Sequence, residues 1–227
     1  MNKEEDKLDN PVWHSLNELH HKYSLTSKDT RFYKPEYCPF GGFTSMENIT
    51  AHIDNYAKLT DNFYVVGDKP HFSQDINLKK ELVCFQMILH KPIELKIMES
   101  IRELKTEKQK NDLFQLVNLV QPGYFNRMTS DLGTYWGIYK NENLIAVTGE
   151  RMKMHRYTEV SAVVTHPEHT RKGYSKQLIS HATSFIFREN KTPYLHVTES
   201  NTGAINLYEK LGFITRRKIS FWNFIKS

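Results

Sequence analysis

Residues 158–213 restrict this chain more than any other stretch, because strand and helix signals alternate there around one short basic turn. In TEVSAVVTHPE, Val160, Ala162 and Val164 alternate with Ser161, Val163 and Thr165, the period of a strand, and Pro167 ends it. Tyr174, Leu178, Ala182, Phe185 and Ile186 then recur at helical spacing. The residues between them, HTRKGYS from His169 to Ser175, therefore sit where a strand ends and a helix begins. The first N–H groups of a helix lack intrahelical partners and form the positive end of its dipole, and a glycine lets an anion approach the main chain. Arg171 and Lys172 add charge, so the turn reads as an anion site. A second strand, PYLHVTES, follows. Residues 201–211 then read as a short helix with Ala204, Ile205, Tyr208 and Leu211 near one face, closed by Gly212.

This order of strand, THPEHTRKGYS turn, long helix, PYLHV strand and NTGAINLYEKLGF resembles the GNAT superfamily of acyl-CoA-dependent N-acetyltransferases, over residues 93–227. The family turn reads Q/R-x-x-G-x-G/A, and Thr170, Arg171, Lys172, Gly173, Tyr174 and Ser175 occupy it. Thr170 departs from the family Arg or Gln, which weakens the pyrophosphate contacts unless Arg171 restores them; Ser175 replaces Gly or Ala but is still small.

The resemblance implies an α/β fold with a GNAT-type mixed central sheet flanked by helices, and acetyl-CoA as co-substrate. It implies that residues 170–175 hold the pyrophosphate and that the pantetheine arm lies along Val163, Val164 and Thr165, bonded to the main chain of Val163 and Thr165. Asn201 either caps its helix or bonds the pantetheine amides. Acetyl transfer needs the reactants held together, a base, oxyanion stabilisation and a proton for the leaving thiolate. Several family members keep a glutamate base where Glu159 stands. Four residues before Val163, it is expected on the same strand face, acting with a raised pKa or through a water. Glu150 and His155 are its reserves. Tyr208 is the expected proton donor. The implied activity is direct transfer of acetyl to a primary amine, carried by a small molecule or a peptide, in a ternary complex. The rival is a non-catalytic acyl-CoA-binding or regulatory module on the same fold.

Composition narrows the alternatives. The net charge of +5 suits an anionic ligand, but the basic residues are interspersed with acids rather than gathered along an aromatic face, which argues against nucleic acid. Cys38 and Cys84 have no metal or redox spacing, and the eleven histidines show no i, i+4 pair of a zinc helix, so no metal is expected. The absence of a membrane-length apolar run and the polar start MNKEEDKLDN point to a cytoplasmic protein without a membrane partner. Oligomeric state is left open.

Residues 1–92 read as a smaller companion α/β domain, either unrelated or a reduced GNAT-like half, and residues 93–227 as the GNAT domain. Asn10 and Pro11 open a first helix, 33–43 reads as an aromatic loop, and Thr44 with Glu47 suggests a capping box for a helix reaching 59. Strands are expected at 63–66 and 82–89 with a loop at 67–80 between them. Further on, 94–98 reads as a strand, 101–119 as one or two helices, 134–139 and 144–152 as a hairpin across KNEN, and 213–224 as one or two closing strands. The companion part either covers an apolar face of the sheet or forms a wall of the acceptor cleft.

Overall fold

The computed structural model describes residues 4–226. Its longest closing element, β11 (Ile214–Lys226), joins the two parts of the chain: one edge pairs with β4 (Asn62–Val66) and the other with β5 (Ile76–Ile88), both antiparallel. Around it runs one sheet of eleven strands in the order β1-β2-β3-β4-β11-β5-β10-β9-β8-β7-β6. The remaining strands are β1 (Ser24–Ser27), β2 (Thr30–Tyr33), β3 (Phe40–Phe43), β6 (Ile101–Glu103), β7 (Tyr135–Lys140), β8 (Asn143–Lys153), β9 (Tyr157–Thr165) and β10 (Thr192–Thr198).

Five α-helices cover the sheet. On one face, α1 (Pro11–Asn17) packs Val12 and Leu16 on Phe40, Tyr64 and Tyr194, while α3 (Glu107–Val120) packs Leu113, Leu116 and Val117 on Val147 and Val164. On the other face lie α2 (Ile49–Tyr56), α4 (Tyr174–Arg188) and α5 (Thr202–Lys210). Local signals explain several boundaries. Asn10 Oδ1 accepts from the Trp13 N–H at 3.4 Å with Pro11 at the first helical position, a cap worth about 1 kcal/mol. Thr106 and Gln109 form a full capping box for α3. Asn141 and Glu142, at φ 48° and 63°, make the two-residue turn of the β7–β8 hairpin.

Other expectations are corrected. The aromatic segment 33–43 is not all loop, since Phe40–Phe43 forms β3 between β2 and β4. No Thr44–Glu47 capping box forms: Glu47 N–H goes to Ser45 Oγ, and α2 begins after Asn48 with no side-chain cap. β5 starts at Ile76, inside the expected loop. Residues 94–98 join no strand; the N–H groups of Met98 and Glu99 are taken by Gln177 Oε1 at 2.7 and 3.0 Å instead of by a ladder. The helix expected from 101 begins only at Glu107, because Ile101–Glu103 pairs with β7.

A boundary after residue 92 falls just beyond β5, which lies between β10 and β11. A fragment beginning at Lys91 lacks both β4 and β5, which leaves β10 with an unpaired edge and β11 with no partner strand on either side. It is expected to lose cooperative thermal unfolding by circular dichroism, whereas a sharp transition would show that the C-terminal part closes its own sheet.

Candidate active site

The site is made by two parallel strands that part. β9 and β10 are in register only from Tyr157/Thr192 to Glu159/Tyr194, and beyond that point the two diverge. Ala162 marks the cause. It has φ 50°, and the pairing of β9 with β8 slips there, from Gly149–Ser161 to Val147–Val164. An extra residue bends a strand and re-aims its side chains. The consequence is local and specific: Glu159 faces the side of α3 and Phe40, while Val163 packs on the other side with the cluster that holds Tyr208 and Ile179. Glu159 and Val163 were expected to share a face; the bulge separates them.

Beyond the bulge, His166 N–H donates to Ile145 O at 2.8 Å. Backbone groups alternate between the edges of a strand, so Thr165 and Val163 direct theirs to the open edge left by β10. Val164 directs its backbone to β8 and buries its side chain against α3. Val164 is thereby oriented differently from its neighbours Val163 and Thr165.

The open edge ends at the basic turn. Gly173, at φ 78°, precedes α4, and no side chain caps the helix. Arg171 is also left-handed, at φ 60°. Ser175 Oγ and Thr165 Oγ1 lie 2.9 Å apart and tie the helix start to β9. Arg171, Lys172, Gly173, Tyr174 and Ser175 line a concavity with His169 and Lys176, two residues that the turn pattern did not single out. Thr170 is turned aside, its hydroxyl donating to Pro167 O at 3.2 Å. On the outer surface of this turn, donor atoms of His166, Glu168 and His169 come within 4.8 Å of one another, a grouping that an i, i+4 search passes over.

At the other end, the parted strands open into a cavity of about 430 Å³. Its floor is β9 from Glu159 to Val163, with Asn201, Ala204 and Tyr208 of the α5 segment on one side and Phe40, Tyr124 and Phe221 on the other. The Tyr208 side chain is buried, yet its hydroxyl has no hydrogen bond among the described residues, and burial pushes its pKa upward. Asn201 Oδ1 caps α5 by accepting from Ala204 N–H at 3.1 Å; its amide nitrogen makes no hydrogen bond among the described residues, so capping and ligand binding are compatible. Cys84 in the wall stays a thiol, with burial pushing its pKa to about 12.

Glu159 differs from expectation. It is 1% exposed, and its two oxygens accept from Arg151 Nε and Nη2 at 2.7 and 2.9 Å. Burial alone would raise its carboxyl, but the Arg151 charge and hydrogen bonds, with the His196 ring, outweigh this and hold it down at about 2. The raised pKa expected of a base is thus reversed. Arg151 in turn stacks 4.7 Å from the Phe40 ring centroid. His196 Nδ1 lies 2.8 Å from Glu159 Oε1. Gln86 Oε1 accepts from Arg216, so its amide nitrogen donates to Leu8 O and to His196 Nε2, which leaves the ring proton on Nδ1 facing Glu159. The reserve bases lie elsewhere. Glu150, next to Arg151, points to the opposite face and binds Lys153 at 2.6 Å, and the His155 N–H binds Glu18 outside the cavity.

The fold is thus a mixed sheet parted beside a glycine-started helix, with a cavity at the inner end of the gap. Comparisons agree. The family model described as FR47-like protein matches residues 135–222. A spermidine N(1)-acetyltransferase of Vibrio cholerae is 38% identical over 63 residues, which span 27% of this chain and 36% of that protein. The structure of a GNAT-family protein from Novosphingobium aromaticivorans superposes with a TM-score of 0.86 at 28% identity, covering 97% of this chain and 98% of that one. A GCN5-related N-acetyltransferase-like protein from Streptococcus suis shares the fold with a TM-score of 0.65 at 10% identity over 99% and 98% of the two chains. Residues 135–222 thus match an FR47-like, GNAT-related domain, and the fold of the chain is that of GNAT acetyltransferase structures.

Glu159→Gln leaves Arg151 buried without its anion, and breaking such a pair costs about 3–5 kcal/mol. A carboxylate whose folded pKa is depressed stabilises above its unfolded pKa and loses that contribution as pH falls through the folded value. The Glu159 share is therefore present above about pH 4.5 and lost toward pH 2. Urea unfolding at neutral pH should show the loss in the variant, together with a shallower decline across that acid window. Equal stability of the two proteins at neutral pH would refute the paired role.

Proposed function

We propose that this protein is an N-acetyltransferase that moves the acetyl group of acetyl-CoA to a primary amine by direct attack in a ternary complex. The observation that carries the reading is the open edge of β9, which runs from an uncapped helix start to a cavity with an unbonded buried phenol. The residues present fit acetyl-CoA. The N–H groups at the start of α4, with Arg171, Lys172 and Lys176, suit a pyrophosphate, and the main-chain groups of Val163 and Thr165 suit an amide-bearing arm laid down as an added strand.

Acetyl-CoA supplies an activated thioester; the chain supplies position and protons. Val163 and Thr165 hold the arm in line, and Asn201 offers its amide where the arm meets α5. Tyr208, kept protonated by burial, hands its proton to the departing sulfur. Glu159 has both oxygens engaged and a pKa of about 2, so it is a weak base. Its assigned part is positioning: it holds Arg151 and His196 at the inner end of the cavity; the amine attacks as the free base after losing one proton to water, and the second proton, shed by the nitrogen as it becomes an amide, restores the Tyr208 phenol. No covalent enzyme intermediate is required, in keeping with the protonated Cys84 thiol. The Vibrio cholerae relative, named for spermidine, supports a small amine as acceptor.

The test is thiol release from acetyl-CoA against a panel of amines between about pH 6 and pH 9. The rate at subsaturating amine should climb with pH, following ionisation of the amine, with no plateau set by a protein carboxyl. Tyr208→Phe should lower kcat by roughly 10²-fold with unchanged acetyl-CoA affinity and unchanged melting temperature, because its hydroxyl supports no other group. Acetyl-CoA binding without release on any amine would leave a non-catalytic acyl-CoA-binding module instead.

A further inference from the structure

The cavity between the parted strands carries little charge. Arg151 and Glu159 are its charged lining residues, and they are spent on each other through two hydrogen bonds of 2.7 and 2.9 Å. Glu159 Oε1 also faces the His196 Nδ1 proton at 2.8 Å. The next carboxylate along the chain from β10, Glu199, is bound to Lys218 at 2.7 Å. Glu81 neighbours the lining residue Leu82 but, by strand alternation, points to the opposite face, where it accepts from Ser220. The walls away from Tyr208 carry no further charge: Phe40, Leu82, Val117, Val120, Phe125 and Phe221 supply apolar and aromatic surface, interrupted by the neutral polar side chains of Gln121, Tyr124, Ser161 and Thr198. One partial negative charge remains, at the carboxyl end of α3, where Val120, Gln121 and Pro122 reach the cavity.

A cavity of about 430 Å³ is of the size that encloses a small molecule. Its walls discriminate by charge. A polyamine that presents one amine to the thioester must lay its other ammonium groups against uncharged walls or beside Arg151, where each loses water and gains no free anion. An amine borne on an aromatic or branched aliphatic body brings a single charge, which deprotonation removes before attack, and it covers the apolar walls.

Resting on the acetyltransferase reading above, we infer that the acceptor is a hydrophobic primary monoamine, an aryl or alkyl body carrying one amine on a short arm, and not a polyamine. Phe40, Leu82 and Phe221 come from strands on the N-terminal side of the sheet or from its joining strand, so that side of the molecule sets the acceptor class.

The experiment pairs binding with turnover. 2-Phenylethylamine, hexylamine and spermidine are titrated calorimetrically into the CoA-saturated protein and assayed for thiol release with acetyl-CoA. The two hydrophobic amines should bind at least about tenfold more tightly than spermidine and give kcat/KM higher by about 10²-fold. Val120→Glu, at a position 38% exposed and therefore compatible with the fold, places an anion at the cavity edge and should shift the ratio toward spermidine by about tenfold. Spermidine binding as tightly as 2-phenylethylamine, or neither hydrophobic amine binding, would overturn the inference. Binding of the hydrophobic amines without any thiol release would instead overturn the acetyltransferase reading and leave the preference of the cavity standing.

Discussion

The parting of β9 from β10 is the constraint on which the rest of the site depends. Two parallel strands that begin in register would normally continue to satisfy each other, and a buried strand edge with no partner is costly. Here the bulge at Ala162 turns β9 away after Glu159, so the main-chain groups of Val163 and Thr165 face open space. The same bulge sends Glu159 to one face and Val163 to the other. It therefore divides the gap into a side beneath α3 and Phe40 and a side between α4 and α5 that leads to the basic turn.

What holds the strands where they part is a chain of buried polar groups. Arg151 on β8, Glu159 on β9, His196 on β10 and Gln86 on β5 bond in sequence across four strands, and Gln86 reaches Arg216 of β11 and the carbonyl of Leu8. Arg216 in turn binds Glu5 and Asp9. The network spans the point of divergence and fastens the N-terminal segment to the sheet. Buried ionic groups of this kind are weak evidence for stability, but removing one member leaves the others uncompensated. Glu159 is the centre of this knot, and Arg151 carries the knot to the cavity wall through Phe40.

Much of this was legible in the sequence, and the limits are physical. The HTRKGYS turn, the strand before it and the helix after it could be located because local periodicity and a glycine at positive φ are local properties. The bulge could not, since VSAVVT fits an unbroken alternation as well as a slipped one and only pairing with β8 decides between them. The ion-pair knot joins residues as far apart as Gln86 and His196, so no spacing marks it. β3 was hidden because FGGF resembles a turn. Its glycines serve close packing instead, as a Cβ on Gly42 would lie 2.7 Å from Asn10 Oδ1, the atom that caps α1. Residues 94–98 carry strand-like composition, yet Gln177 on α4 supplies the acceptor that a neighbouring strand would have given.

The central claim is that the open edge of β9 is a binding surface for an added strand-like ligand. Amide hydrogen exchange, followed residue by residue with and without CoA, tests it most directly. The account predicts that the amides of Val163 and Thr165 exchange rapidly in the free protein and become protected on addition of CoA, while Val164, already directed at β8, changes little. Protection at the start of α4 with no change at Val163 or Thr165 would contradict the account, because the phosphates would then be held while the parted strands bound nothing.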